Sequence, residues 1–116
     1  MSSRHWQLET NPELVAQRAT LEDCTEVPRQ VDHTAFVRKR QLRDFVADLE
    51  HAGFVVDEVS RGLFRSTVLF SRRDCTDLAT ANSFVEEICD IVERYDGEYD
   101  GWGAFVVTPG QPPQSR

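Results

Sequence analysis

The sequence predicts an α+β domain built on one four-stranded antiparallel sheet with helices on one face. From Val31 onward, apolar positions switch between alternating and 3-4 spacing in the order β-α-β-β-α-β, a short turn joins the middle two strands, and a further amphipathic stretch precedes the set. This is the split β-α-β, ferredoxin-like arrangement (βαββαβ), expected with strand order 4-1-3-2 and an additional N-terminal helix.

Each element has its own signal. Residues 1–10 are polar and aperiodic and read as a loose N-terminus. Pro12, suited to a first helical turn, opens a helix to about Cys24 with Leu14, Val15 and Leu21 inward. Val31 to Val37 alternates polar and apolar as a strand does. Residues 39–52 place Leu42, Phe45, Val46 and Leu49 on one helical face, and Gly53 supplies the stop. Phe54 to Val59 and Leu63 to Ser71 form a hairpin around Ser60-Arg61-Gly62, with Phe64, Ser66, Val68 and Phe70 on one face. Asp74 or Thr76 caps a long helix to Tyr95, whose Leu78, Ala81, Val85, Ile88 and Val92 repeat at helical spacing before Gly97 ends it. Tyr99 to Val107 is the last strand. Residues 11–107 are thus one domain, and the Pro-rich 108–116 is expected to be a disordered tail.

With 116 residues, 40% hydrophobic and 28% charged, the chain has the balance of a soluble globular domain. No apolar run approaches the ~20 residues of a membrane span, and a cytoplasmic location is expected. The three cysteines, Cys24, Cys75 and Cys89, form no CxxC pair and stand at no metal-ligand spacing with the three histidines, so free thiols and no metal are expected. Nucleophile elbow, Walker loop, GxGxxG, HExxH and EF-hand patterns are absent, and no histidine has an evident acid partner. The expectation is a protein that is not an enzyme and carries no cofactor.

Charge is unevenly placed. The net charge is −7, and residues 86–100 alone hold seven acids (Glu86, Glu87, Asp90, Glu93, Asp96, Glu98, Asp100) against Arg94, a net of −6. Outward charges on an amphipathic helix account for part of this. However, Glu98-Tyr99-Asp100-Gly101-Trp102-Gly103 sets aromatic rings among acids and glycines, poor strand material and a composition suited to anchoring a partner. Trp102 reads equally as core or as binding surface. The strand order puts strands one and three side by side at the centre, where we expect them parallel. Their carboxyl ends would then gather Arg38, Lys39, Arg40, Arg43, Arg72 and Arg73 at one edge with both helix N-termini, a candidate anion site. RNA binding is disfavoured: Arg61-Gly62-Leu63-Phe64-Arg65 starts like a stacking strand but puts Arg65 where an aromatic belongs, and the net charge repels phosphate.

The stretch Glu93-Arg94-Tyr95-Asp96-Gly97-Glu98-Tyr99-Asp100-Gly101-Trp102-Gly103, with the Gly53-Phe54-x-Val56 entry to strand two, resembles the bacterial regulator of ribonuclease E activity B family. The resemblance spans roughly residues 31–107. It implies a ferredoxin-like core and a non-catalytic inhibitor that binds the disordered, Arg/Pro-rich carboxyl-terminal scaffold region of ribonuclease E and so modulates RNA decay. On that reading Glu93, Tyr95, Asp96, Glu98, Tyr99, Asp100, Gly101 and Trp102 carry partner binding. The best-known members carry a long acidic carboxyl-terminal tail, where this sequence reads Pro-Gly-Gln-Pro-Pro-Gln-Ser-Arg. The alternatives are an RNA- or anion-binding module using the basic edge, and a homodimer through the open sheet face.

Overall fold

The computed structural model describes residues 3–110. Its elements are α1 (Ser3–Ala19), β1 (Arg29–Arg38), a 3₁₀ turn (Lys39–Gln41), α2 (Leu42–His51), β2 (Val55–Arg61), β3 (Arg65–Asp74), α3 (Leu78–Arg94) and β4 (Glu98–Ala104). The sheet runs β2-β3-β1-β4, which from the opposite edge is β4-β1-β3-β2. All three pairings, including the central β1–β3 ladder, are antiparallel. The expected parallel pairing of strands one and three is therefore wrong. A β-strand, a helix and a second strand return the chain to its starting direction, and the hairpin then reverses it into β3.

Alternate residues of β1 (Val31, His33, Ala35, Val37) are buried under the helices. They meet Phe70, Val68 and Ser66 of β3, while α3 lays Phe84, Val85, Ile88, Cys89 and Val92 over them. At the centre His33 stacks on Phe70 (5.2 Å) and edges Phe84 (5.1 Å), with Nδ1 2.8 Å from the Tyr99 hydroxyl. Burial, assisted by the Arg72 charge, lowers the His33 pKa to about 3, so this imidazole stays neutral.

The N-terminal helix differs most from expectation. It starts at Ser3, contains Pro12, and stops before Leu21, which is 60% exposed rather than inward. Residues 3–10 lack an apolar stripe because α1 docks onto α3 and β4 through polar groups. Gln7 and Asn11 are buried; Asn11 donates to Asn82 Oδ1 (3.0 Å) and accepts from Trp102 Nε1–H (3.0 Å). Arg18 donates to the carbonyls of Ala104 and Phe105 (2.9 Å each), which ends β4 there rather than at Val107.

Beyond α1, the Asp23 carboxylate is fully buried beside Arg29, itself 1% exposed. It accepts from Arg29, from Arg18 Nε (3.0 Å), from Thr76 Oγ1 (3.0 Å) and from the Val107 amide (3.0 Å). One side chain thus ties together the segments before β1, before α3 and after β4. The cap of α3 is Asp77, which accepts from the Thr80 amide (3.1 Å); Asp74 and Thr76 precede it because β3 runs on to Asp74. At the other end of α3 the left-handed position is Asp96 (φ 52°), while Gly97 N–H donates to Val92 O (3.0 Å). Gly97 is needed for space: a Cβ there would stand 2.7 Å from the Phe36 carbonyl oxygen. Of the Pro-rich tail only Thr108–Gly110 is described; residues 111–116 lie outside the described residues.

Candidate functional site

The signature stretch enters β4 through a bulge. Thr34 pairs with Gly101 and Ala35 with Tyr99, so Asp100 has no partner on β1, and Gly101 takes φ +117°. Strict alternation would send Tyr99 and Trp102 to opposite faces. The extra residue returns both to the helix side. Tyr99 is buried in the core, and Trp102 is partly buried with its ring edge-on to Phe84 (5.2 Å, 82°) and its N–H on Asn11. Of the two readings open for Trp102, the geometry gives it a packing role between β4, α1 and α3.

The remaining signature residues divide between two places. Glu93, Asp96 and Glu98 meet at the end of the sheet with Phe36, Phe64 and Arg65, around a concavity of about 810 Å³. Phe64, expected on a strand face, instead projects from the hairpin tip and is 82% exposed, with Leu63 beside it 79% exposed. Arg65 lies over the Phe36 ring at 4.1 Å. Asp100, Gly101 and Trp102 border a smaller hollow of about 370 Å³ against Trp6, Gln7 and Thr10 of α1. Tyr95 belongs to neither: its ring meets Phe45 edge-on (5.9 Å) and its hydroxyl donates to Asp48 (2.5 Å), a bond that holds the Asp48 carboxyl below and the Tyr95 phenol above their ordinary pKa values.

Among the described residues, every acid of the 86–100 stretch except Asp100 is ion-paired. Arg4 of α1 binds Glu86 (2.5 Å), Asp90 (2.6 Å) and Glu93 (3.1 Å), and these hydrogen bonds hold its guanidinium charged. Asp96 pairs with Arg38 (3.2 Å) and Glu98 with Arg65 (3.3 Å). The expected segregation of acids from bases is thus only partial. One guanidinium facing three carboxylates leaves two negative charges in excess on α3.

The six-residue basic edge separates. Arg38 faces Arg65 across the central ladder, whereas Arg72 and Arg73 face Val31 and Gln30 at its opposite end. The antiparallel ladder is the cause: strands one and three end on opposite sides of the sheet, and so do the amino ends of α2 and α3. Arg72 is further engaged by Asp74 (3.0 Å) and Glu87 (2.8 Å) and stacks over Phe54 (4.1 Å). Lys39, Arg40 and Arg43 remain with Arg38 at the start of α2.

Phe36, Phe64, Arg4 and Arg65 are not among the partner-binding residues expected from the sequence. Two successive large apolar residues directly after the turn glycine, Leu63-Phe64, were the available signal. Burial pushes the Cys89 thiol up to about 11. Among the described residues no group of His, Cys, Asp and Glu is placed to hold a metal ion, and no helix is long and apolar enough to cross a membrane.

No curated protein matches the sequence. The family described as regulator of ribonuclease activity B matches residues 9–104, from within α1 to the end of β4, and therefore covers the whole sheet and the lining of both hollows except Ser3, Trp6 and Gln7. The chain belongs to the regulator of ribonuclease activity B family.

Proposed function

We propose that this chain is a non-catalytic, cytoplasmic inhibitor of ribonuclease E that holds a cationic, flexible stretch of the enzyme's carboxyl-terminal scaffold region and thereby modulates RNA decay. Membership of a family of ribonuclease regulators supports the class of function. The observation that carries the choice of surface is the meeting of Glu93, Asp96 and Glu98 with the exposed Phe64 at one concavity.

The ion pairs there suit exchange. Asp96 and Arg38 are 85% and 54% exposed, and pairs of this kind are worth about 0–1 kcal/mol. An arginine of the partner replaces Arg38 or Arg65 at little cost, while Phe36 and Phe64 offer apolar surface to the neighbouring chain. The net charge of −7 steers a basic segment toward the surface.

Calorimetric titration with the purified scaffold region tests this. The wild-type affinity should fall with added salt. Glu93→Lys with Asp96→Lys and Glu98→Lys, and separately Phe64→Ser, should each weaken binding at least about tenfold. Equal affinity in variants whose circular dichroism is unchanged refutes the assignment of this surface.

A further inference from the structure

A second surface carries the opposite charge. Among the described residues, Lys39, Arg40, Arg43, Arg61 and Arg73 make no ion pair, and all but Arg73 lie at one corner of the domain, where the 3₁₀ turn and α2 meet the end of β2. Three of them, Lys39, Arg43 and Arg61, line a groove of about 640 Å³ between α2 and β2, whose floor is Leu42, Val46, Val56 and Val59. Three cations against the single carboxylate of the groove, Glu50, leave it at +2 in a chain of −7. The three valines of the floor stay only partly buried, and β2 is an edge of the sheet.

We infer that this groove docks an acidic amphipathic helix from another protein, its leucine-type side chains on the valine floor and its carboxylates on Lys39, Arg43 and Arg61. Three features select this occupant. The register shift between Val56 and Glu58 interrupts the regular edge of β2, which disfavours addition of an extended strand and leaves side-chain recognition. The floor is aliphatic and offers no ring for a base to stack on, which disfavours single-stranded nucleic acid. Docking of a second copy is disfavoured because its most acidic helix, α3, has Glu86, Asp90 and Glu93 engaged by its own Arg4. The groove is distinct from the acidic concavity, so the two surfaces admit separate partners.

The test uses the full chain and three fluorescent probes of similar charge: a peptide of about 16 residues with leucine at helical 3-4 spacing and glutamate elsewhere, the same peptide with serine for leucine, and an oligouridylate. The leucine peptide should bind in anisotropy titrations, with the serine peptide and the oligouridylate at least about tenfold weaker. Arg43→Glu with Arg61→Glu, two exposed positions, should remove that binding, and amide shifts on the wild-type chain should fall within residues 39–61. Binding that survives the reversals, shifts confined to residues 93–98, equal or tighter binding of the oligouridylate, or charge-dependent self-association in sedimentation each overturn the inference.

Discussion

Replacing Asp23 with alanine is the most demanding test of how this fold holds together. The substitution removes a fully buried carboxylate and leaves Arg29, 1% exposed, with its charge uncompensated. Loss of one partner from a buried pair costs about 3–5 kcal/mol. Arg29 keeps hydrogen bonds to the carbonyls of Val27, Cys24 and Phe105, which places the cost near about 3 kcal/mol. The Thr76 hydroxyl and the Val107 amide lose their acceptor as well. With a urea m value of about 1–2 kcal/mol/M for a chain of this size, the midpoint should fall by roughly 2 M. Asp23→Leu combined with Arg29→Met should cost less than Asp23→Ala alone, since neither charge then remains buried. A loss below about 1 kcal/mol for Asp23→Ala, or additive losses in the double variant, refutes the view that this carboxylate joins the three segments. The acid limb gives an independent check. Burial alone would raise the Asp23 pKa, but the bonds from Arg29, Val107 and Thr76 together outweigh it and hold the carboxyl below its ordinary 3.8. A folded pKa below the unfolded one means that the contribution is whole above the unfolded value and fades as the pH falls through the folded one.

The remaining predictions concern single contacts. His33 carries a folded pKa of about 3 against 6.5, so the unfolded chain takes up its proton first and stability falls as the pH drops below 6.5, by about 3 kcal/mol at about pH 4; urea titrations of His33→Leu should show this slope flattened. Gly97→Ala forces a methyl group against the Phe36 carbonyl and the Val37 side chain and should cost about 2 kcal/mol in thermal unfolding, more than Gly103→Ala, whose added Cβ meets nothing. Trp102→Phe keeps the ring contact with Phe84 but strands the Asn11 carbonyl, and should lose about 1 kcal/mol in the same measurement.

The order of strands and helices from Val31 onward was legible in the sequence, because β1, α2, β3 and α3 each bury an apolar face, and burial writes its period into the residues themselves. The charge and ring content of the signature Glu93–Gly103 were legible for a simpler reason: residue type alone sets them. α1 was legible only from Pro12 onward; its first turns left no such trace, since the helix is held by Arg4, Asn11 and Arg18 through hydrogen bonds and ion pairs to groups far along the chain. Strand direction decided the rest. An antiparallel β1–β3 ladder separated Arg38 from Arg72, and the bulge at Asp100 returned Trp102 to the helix side beside Tyr99. Composition and periodicity are local properties that each segment carries by itself. Which charges meet, and which face a ring turns to, depend on the pairing register between distant segments, and only the assembled sheet fixes that.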